Sequence, residues 1–470
     1  MNKTTGLLFS FLLFALVAMA QRKPNVVFIL ADDLGYGDLG CYGQKLIKTP
    51  NLDSMAARGI RFTQFYAGTA VCAPSRASLM TGLHTGHTPV RGNFEILPEG
   101  QFPLPDSSAT MAELFRKAGY VTGAFGKWGL GYPGSEGEPL NQGFDQFFGY
   151  NCQRQSHNYF PDHLWQNRHR VELENTPAHQ VQYAPDLIQA RAVSFIDSNK
   201  QRPFFLYLAY TLPHAGLQLP AGDSLFAFYK KQFNESPKQV PASWDGVGYQ
   251  PQAYPVAAYA AMVSKLDAYV GEVLAKLKSL GLEENTLVVF TSDNGPHREG
   301  GNKPEAFASS GGLNGVKRDL YEGGIREPVL ITWPAVIRKS RTSDFVGAAR
   351  DFLPTFAALT GQRLTVKTDG LSLLPLLLKK GKQREHAFLY WEFHEDGGRQ
   401  AVRMGKWKGV KLNVMKNGSA PLQLFDLSAD PGETKDLSAV HPDVVRRVLQ
   451  VMKREHVENK NFPLLVDSQQ

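Results

Sequence analysis

NVVFILADD, residues 25–33, is a continuous apolar run that ends in two carboxylates, and TLVVFTSDN at residues 286–294 has a similar form. Unbroken apolar runs are typical of strands that are buried on both faces of a parallel or mixed sheet. Residues 203–209 and 328–333 form similar runs, and helical patterns such as 254–280 lie between the runs. Strands that alternate with helices indicate an α/β fold, here a large mixed sheet sandwiched by helices.

The pattern changes near the end of the chain, from about residue 375. Short alternating segments separated by turn residues predict a small antiparallel sheet there, and a helical pattern at 442–456 predicts a closing helix. A chain of 470 residues is long enough for two packed parts. We therefore expect a signal peptide at 1–20, a main domain at 21–374 and a C-terminal subdomain at 375–470.

The first residues predict export. Lys3 precedes an apolar stretch from Leu7 to Val17, and Ala18-Met19-Ala20 fits the small-residue rule for signal-peptide cleavage. The alternative is a membrane anchor, but the stretch is short for one and no second apolar run of about 20 residues follows. We expect a periplasmic or secreted protein with no transmembrane helix after cleavage.

The net charge bears on the class of partner. A formal charge of +7 is mild for 470 residues, and like charges do not form a long block anywhere in the chain. This pattern predicts no nucleic-acid partner, because nucleic-acid arms are strongly basic runs. A mild positive charge is compatible with an anionic substrate or an acidic glycan.

The cysteines are three in number, Cys41, Cys72 and Cys152, so at least one has no intrachain partner. Cys41 and Cys152 either form a disulfide or are two small buried residues. Cys72 begins the run Cys72-Ala73-Pro74-Ser75-Arg76, in which Pro74 is suited to be the first residue of a helix. Cys72 would then lie at a helix N-terminus, which favours an anion, with Arg76 adding a cation. The alternative is a buried free cysteine beside a structural arginine.

Polar side chains follow the two strands quoted first, namely Asp32, Asp33, Asp293 and Asn294. Ligands of open α/β sheets bind at the carboxyl ends of the strands, so we expect these side chains to share a site. They offer only oxygen donors, which favours a hard cation such as calcium or magnesium over zinc. The alternative is the ordinary use of Asp and Asn in turns and helix caps.

Several motifs together resemble one known family. The run at 72–76, with Leu79, Thr81 and Gly82, is similar to the signature of the type I, formylglycine-dependent sulfatases of the alkaline phosphatase-like superfamily. The other matching segments are Gly126-Lys127-Trp128, Ser292-Asp293-Asn294-Gly295, Glu322-Gly323-Gly324-Ile325-Arg326-Glu327-Pro328, and Leu424-Phe425-Asp426-Leu427 with Asp430-Pro431. The resemblance extends from Pro24 to about Leu437, and the pattern is most similar to bacterial arylsulfatase A-like carbohydrate sulfatases.

The resemblance implies an alkaline phosphatase-like fold and a sulfuric ester hydrolase whose catalytic domain is the 21–374 segment. It implies that a formylglycine-generating maturation enzyme oxidises Cys72 to formylglycine before export. The hydrate of that aldehyde would attack the sulfur of a sulfate ester and form a covalent sulfoenzyme, and loss of sulfate would restore the aldehyde.

The resemblance also implies roles for the other site residues. A calcium ion would polarise the sulfate oxygens, and its ligands would be Asp32, Asp33, Asp293, Asn294 and the modified Cys72. Arg76 would stabilise the formylglycine hydrate. Lys127 and Lys317 would neutralise charge on the sulfuryl group, and His214 would protonate the leaving alcohol.

The sequence departs from the family at Gly129. The family commonly carries Gly-Lys-Trp-His-Leu-Gly, and this chain has Gly126-Lys127-Trp128-Gly129-Leu130-Gly131, so the histidine that serves the formylglycine is missing. Either another histidine or water takes its place, and our hypothesis is that His297, three residues beyond Asn294, does so, with His84 and His87 as weaker candidates. The alternatives are that His297 binds substrate or only packs.

Substrate recognition is predicted less directly. Residues 131–185 have weak periodicity and predict long loops, which are often binding loops. Trp391 and His394 lie in a run of aromatic and polar residues that suits a sugar ring, although the same run fits a core strand. We expect a sulfated glycan, with sulfated galactose or N-acetylgalactosamine favoured. The alternatives are a phosphomonoester or phosphonate ester hydrolase of the same superfamily and a non-catalytic glycan-binding homologue.

Overall fold

The computed structural model describes residues 23–241, 243–417 and 419–465. The signal peptide predicted at residues 1–20 lies outside these ranges. Within them, no helix combines the length and the apolar character that a membrane span requires.

The described strands and helices alternate through most of the chain, as the sequence predicts. The strands are β1 (Asn25–Ala31), β2 (Ile60–Tyr66), β3 (Glu95–Ile96), β4 (Gly100–Gln101), β5 (Val121–Lys127), β6 (Gln146–Tyr150), β7 (His163–Gln166), β8 (His169–Glu172), β9 (Phe204–Ala209), β10 (Thr286–Ser292), β11 (Arg326–Thr332), β12 (Arg341–Ser343), β13 (Gly347–Ala348), β14 (Leu389–Phe393), β15 (Arg399–Met404), β16 (Trp407–Leu412) and β17 (Leu422–Asp426). The helices are α1 (Pro50–Arg58), α2 (Cys72–Thr81), α3 (Met111–Lys117), α4 (Ala184–Ser198), α5 (Ser224–Phe233), α6 (Pro255–Ser279), α7 (Pro304–Phe307), α8 (Glu322–Ile325), α9 (Phe352–Thr360), α10 (Leu374–Leu378) and α11 (Pro442–Glu455).

The main sheet is mixed and has the order β12-β2-β11-β10-β1-β9-β5-β6-β7-β8, with β13 paired to β2. Strand β1 is central and parallel to both β10 and β9, whereas β11 is antiparallel to β10. The side chains of β1 alternate between two hydrophobic layers: Val27 and Ile29 pack on one face of the sheet, and Val26 and Phe28 pack on the other. Helices α1, α4 and α6 cover the first face and α2, α3 and α9 the second. This arrangement confirms the predicted helix-sandwiched sheet.

The register of the two central strands places the polar runs together. Ala31 pairs with Ser292 in the parallel ladder between β1 and β10. Asp32 and Asp293 come directly after this last pair, so they leave the sheet at the same level and the same edge. The shared position expected from the sequence is therefore built into the sheet.

The C-terminal part is a four-stranded antiparallel sheet, β14 to β17, as predicted. Helix α11 packs against it through Val444, Val448 and Met452. The domain boundary proposed after residue 374 falls at the start of α10, and the small sheet begins at Leu389. The boundary itself stays a proposal.

A buried carboxylate, Glu392 on β14, links this sheet to two distant segments. It accepts hydrogen bonds from His394 Nε2 at 3.0 Å, His456 Nδ1 at 2.6 Å and Tyr390 Oη at 2.6 Å. Arg91, from the segment that follows α2, lies 3.4 Å away. The same carboxylate therefore ties the end of α11 and the main domain to the small sheet.

Glu392 is expected to make the fold sensitive to acid. Burial acts to raise the pKa of Glu392, but hydrogen bonds from His394 and His456 outweigh it and lower the pKa from 4.5 to about 2. A carboxyl group with a lowered folded-state pKa stabilises the fold above its unfolded pKa, and this stabilisation is lost as the pH falls from 4.5 towards 2. A lowering of this size corresponds to about 3 kcal/mol. Glu392→Gln should therefore lower the free energy of unfolding at pH 7 by a few kcal/mol and flatten its decline in acid.

Urea unfolding between pH 7 and pH 3 measures both effects. Glu458→Gln, an exposed carboxylate near the same end of the chain, is the matched control and should follow the wild type. A Glu392→Gln protein with wild-type stability at pH 7 would contradict the role assigned to this carboxylate.

Candidate active site at the carboxyl edge of the main sheet

The backbone adopts an unusual conformation at Asp33, just after the end of β1. Asp33 has a φ of 63°, in the left-handed region that non-glycine residues seldom occupy. Its backbone N–H donates to Asp293 Oδ1 at 3.2 Å, and the next N–H, of Leu34, donates to Ser292 Oγ at 3.0 Å. These bonds hold the chain in the strained turn, a feature that is common at functional sites.

Cys72 is the first residue of α2, so the predicted helix start at Pro74 is wrong by two residues. Pro74 fits in the first turn because no helical partner is needed for its missing N–H. The Cys72 thiol is buried and its Sγ lies 3.3 Å from Asp32 Oδ1. Burial and the adjacent Asp32 raise the pKa of the thiol well above its usual value. An unmodified Cys72 would therefore be protonated at neutral pH and a weak nucleophile.

Three buried cations pair with the three carboxylates. Lys127 Nζ lies 2.6 Å from Asp32 Oδ2, and Lys317 Nζ lies 2.8 Å from Asp33 Oδ2. Arg76 donates from Nε and Nη2 to Asp293 Oδ2 at 3.0 and 2.8 Å. Buried ions of this kind persist only when they are paired.

The carboxylates also oppose one another. Burial, with Asp32 adding to it, raises the pKa of Asp293. Burial acts on Asp32 in the same direction, but Lys127 and neighbouring cations outweigh it and lower the pKa of Asp32. Opposite directions of this kind are expected when two adjacent acids repel each other, and a bound cation would reduce that repulsion.

Asn294 provides a direct test of whether the donor set suits a metal ion. Its Nδ2 donates to Asp33 Oδ1 at 2.7 Å and to the Gly295 carbonyl at 3.0 Å. Its Oδ1 is buried and has no hydrogen-bond partner among the described residues. A buried acceptor without a partner, beside three carboxylates, is the oxygen-only environment that calcium prefers. The residues present therefore fit a hard cation.

His214 faces the same cluster. Its Nδ1 contacts the Ala215 carbonyl, which leaves Nε2 to accept from Lys317 Nζ at 3.0 Å. One ligand atom from each of Asp32, Asp33, Cys72 and His214 lies within 4.8 Å of the others. The imidazole stacks between His157, at a ring-centroid distance of 4.8 Å, and His297, at 5.9 Å.

His297 lies near a proposed metal ligand: one of its ring nitrogens is within 4.8 Å of a carboxylate oxygen of Asp33. Its Nε2 lies 3.1 Å from the Pro213 carbonyl, and its Nδ1 lies 3.3 Å from Glu299 Oε2. Both ring nitrogens thus contact groups other than Cys72. The hypothesis that His297 assists the nucleophile stays a prediction, and its ring contact with His214 also suits a role in positioning that histidine.

The weaker candidates His84 and His87 lie at another junction. His84 Nε2 is 3.2 Å from Glu455 Oε2 at the end of α11, and His87 Nδ1 is 2.9 Å from Asp369 Oδ2. His84 therefore contacts the C-terminal helix α11, whereas His87 contacts a carboxylate of the main domain. This placement gives neither histidine a direct role at Cys72.

The two predicted substrate-binding residues differ in their surroundings. Trp391 is fully buried, with its Nε1 donating to the Ala67 carbonyl at 3.0 Å and its ring packed on Tyr66. It presents no surface to a sugar, because the run follows the alternative interpretation, a core strand. His394 lines a small cavity of about 190 Å³ with Phe94 and Phe462, but its Nε2 is bound to Glu392.

Two aromatic residues near His214 were missed by the sequence reasoning. The rings of His157 and Tyr249 contact each other at a centroid distance of 4.9 Å and an interplanar angle of 50°, and Tyr249 lies 6.0 Å from the His214 ring. His157 belongs to the 131–185 stretch, whose weak periodicity predicted binding loops without indicating which residue contributes. The three cysteines are all free, so Cys41 and Cys152 form no disulfide in this structure.

A helix-sandwiched mixed sheet with this charge cluster at its edge defines a hydrolase of the alkaline phosphatase-like class. The family model "Sulfatase" matches residues 24–362, and the model "N-sulphoglucosamine sulphohydrolase, C-terminal" matches residues 315–461. The chain belongs to the sulfatase family and is an enzyme of that family, which confirms the resemblance seen in the sequence.

Individual relatives agree with this assignment. Human arylsulfatase A is 36% identical, covering 94% of this chain and 89% of that protein. The N-acetylgalactosamine-6-O-sulfatase of Bacteroides thetaiotaomicron is 29% identical, covering 92% and 93%. The crystal structure of Ps i-CgsB in complex with k-i-k-neocarrahexaose superposes with a TM-score of 0.78 at 30% identity and covers 95% of this chain and 96% of its own.

Proposed function

We propose that this protein hydrolyses sulfate esters on a sugar, using a nucleophile made from Cys72. The observation that carries the proposal is the convergence of Asp32, Asp33, Cys72 and His214, whose ligand atoms lie within 4.8 Å of one another. The buried thiol itself is a poor nucleophile, so its position suits a precursor better than a working cysteine.

Formylglycine at position 72, formed by a maturation enzyme before export, would supply the attacking oxygen as its hydrate. Calcium, held by Asp32, Asp33, Asp293, Asn294 and residue 72, would supply Lewis-acid polarisation of the sulfate oxygens when bound. Both assignments follow from the family, and the unpartnered Asn294 Oδ1 supports the second.

The chain's own residues would bind the ester and move the proton. Lys127 and Lys317 lie on the Asp32 and Asp33 sides of the cluster, so they can contact different oxygens of the sulfate group. Arg76 is held by Asp293 and by the Lys127 carbonyl, which orients it beside Cys72. Lys317 Nζ donates to His214 Nε2 at 3.0 Å, and we assign protonation of the leaving oxygen to this pair.

Calcium binding should depend on Asn294. Asn294→Ala removes the unpartnered oxygen and is expected to weaken calcium binding at least tenfold, or about 1.4 kcal/mol. Calorimetric titration of the metal-free protein with calcium measures this without any substrate.

Asn302→Ala is the matched control, since Asn302 is also buried with an unpartnered Oδ1 but donates to the His297 carbonyl. It should bind calcium as the wild type does. Equal losses in the two variants, or a wild type without calcium affinity, would contradict the proposed metal site.

The proposed substrate is a sulfated galactose or N-acetylgalactosamine, and the proposed location is the periplasm or the extracellular space. The N-acetylgalactosamine-6-O-sulfatase name of one relative supports the first point, and the signal-peptide pattern of residues 1–20 supports the second. An exported enzyme would meet polysaccharide directly.

The experiment is a substrate panel on protein co-produced with a formylglycine-generating enzyme. The panel contains galactose, N-acetylgalactosamine and glucosamine sulfated at single positions, 4-nitrophenyl sulfate, a phosphate monoester and a phosphonate monoester. We expect the enzyme to release sulfate from at least one sugar. The kcat/KM of that reaction should be higher than the kcat/KM for hydrolysis of the phosphorus esters. Activity confined to the aryl sulfate would overturn the glycan assignment, and preference for a phosphorus ester would support the alternative hydrolase.

A further inference from the structure

The space next to Gly129 is filled by another side chain. A Cβ at Gly129 would lie 2.2 Å from Gln153 Nε2, and the φ of Gly129 is +75°. Gln153 belongs to the 151–157 loop, which follows β6 and ends in a short turn at His157. The neutral amide of Gln153 therefore stands close to the backbone position where the family commonly carries a histidine.

The 151–157 loop is anchored on the active site at both ends. At its start, the Asn151 carbonyl accepts a hydrogen bond from the Gly129 N–H at 2.9 Å. Gly129 itself lies two residues after the site lysine Lys127. At its end, His157 stacks on His214 at 4.8 Å with an interplanar angle of 7°. The loop thus reaches from the Lys127 side of the Cys72 cluster to the His214 side.

Three buried amide side chains in this region have unpartnered polar atoms. Gln101, Asn151 and Gln153 are 1%, 1% and 7% exposed. Gln101 Nε2, Asn151 Nδ2 and both side-chain polar atoms of Gln153 have no hydrogen-bond partner among the described residues. The Gln153 N–H donates to Gln101 Oε1 at 3.3 Å, which joins two of the three residues directly. Buried polar groups are almost always paired with protein, water or a ligand, so these atoms are available to bind polar groups that enter the region.

We propose that Gln101, Asn151 and Gln153 form an amide subsite that binds the sugar hydroxyl groups next to the sulfate ester. The amides offer both donors and an acceptor, which matches hydroxyl groups, whereas a second sulfate group has only acceptors. His157 and Tyr249, whose rings contact each other at 4.9 Å, add aromatic surface near the same loop for the apolar face of the sugar ring. This inference rests on the proposed function and specifies how the enzyme distinguishes a sugar sulfate from other sulfate esters.

Gln153→Ala tests the amide subsite. Its kcat/KM should fall about tenfold on the monosaccharide sulfate that the panel above shows to be turned over fastest. On 4-nitrophenyl sulfate, which has no hydroxyl groups, it should stay within about twofold of the wild type. A deoxy analogue of the same sugar sulfate, lacking the hydroxyl next to the ester, should be a poorer substrate for the wild type but not for Gln153→Ala.

Gln155→Ala is the matched control. Gln155 lies in the same loop and its Oε1 also has no hydrogen-bond partner among the described residues, but its Nε2 is bound to His163. It should keep wild-type activity on both substrates. An equal loss on the sugar and aryl substrates in Gln153→Ala, or no loss on the sugar, would overturn the inference. If the wild type carries formylglycine but hydrolyses only the aryl ester, the proposed sugar substrate is contradicted, and so is the subsite that depends on it.

Discussion

Cys72→Ala is expected to lower kcat for sulfate release by about a million-fold, the cost of removing a covalent nucleophile in a well-studied hydrolase. In the proposed mechanism calcium, the cations and His214 would all act on the ester around this one atom, so none of them would replace the lost nucleophile. Because Cys72 is small and buried at the start of α2, its loss should leave the fold intact. The measurement is single-turnover sulfate release, with the melting temperature as a check on folding.

Cys41→Ala is the control for general loss of a thiol. Cys41 is free and only partly buried, and its backbone N–H bonds to Asp53. It should retain wild-type kcat. A Cys72→Ala protein with more than a trace of activity would mean that the nucleophile is elsewhere.

Lys317→Ala is expected to lower kcat/KM by about 100- to 1,000-fold, the range measured when one pre-positioned group that stabilises developing charge is removed. Lys317 Nζ bonds both Asp33 Oδ2 and His214 Nε2, so its loss removes charge stabilisation and the proton donor's partner together. Steady-state kinetics on the sugar sulfate and on 4-nitrophenyl sulfate should show similar losses, since the proposed contact of this lysine is with the sulfate group common to both.

Lys303→Ala removes an exposed lysine from the same region and should have no effect on either substrate. Lys317→Arg keeps the charge but changes the donor geometry, so it should recover only part of the activity. A Lys317→Ala enzyme within threefold of the wild type would show that the sulfate is held by other groups.

Much of this site follows from local sequence. Each central strand is an unbroken apolar run that ends in polar residues, and parallel pairing brings those ends together, so the meeting of Asp32 and Asp293 was predictable. The C-terminal strands were also predictable, because their alternation and turn residues are strong short-range signals.

The positions of several residues could not be predicted from the sequence, because they depend on the course of loops and on the packing of the sheets. His157 carries no motif, and only the course of the 151–157 loop brings it to His214. His297 is near Asn294 in sequence, yet its ring turns towards Pro213 and Glu299. Trp391 resembles a sugar-binding tryptophan, but the packing of β14 against Tyr66 buries it.

Gly129 illustrates both situations. The sequence shows that a histidine is missing there, whereas the structure shows that the amide of Gln153 fills the adjacent space. Gln153 lies 24 residues further along the chain than Gly129, so no local pattern could have linked the two positions.

The most direct test is the mass of the peptide that contains residue 72, from protein made with a formylglycine-generating enzyme and shown to release sulfate from a sugar. We expect residue 72 to have the mass of formylglycine and the activity to rise in proportion to the modified fraction. Unmodified Cys72 in fully active protein would contradict this prediction.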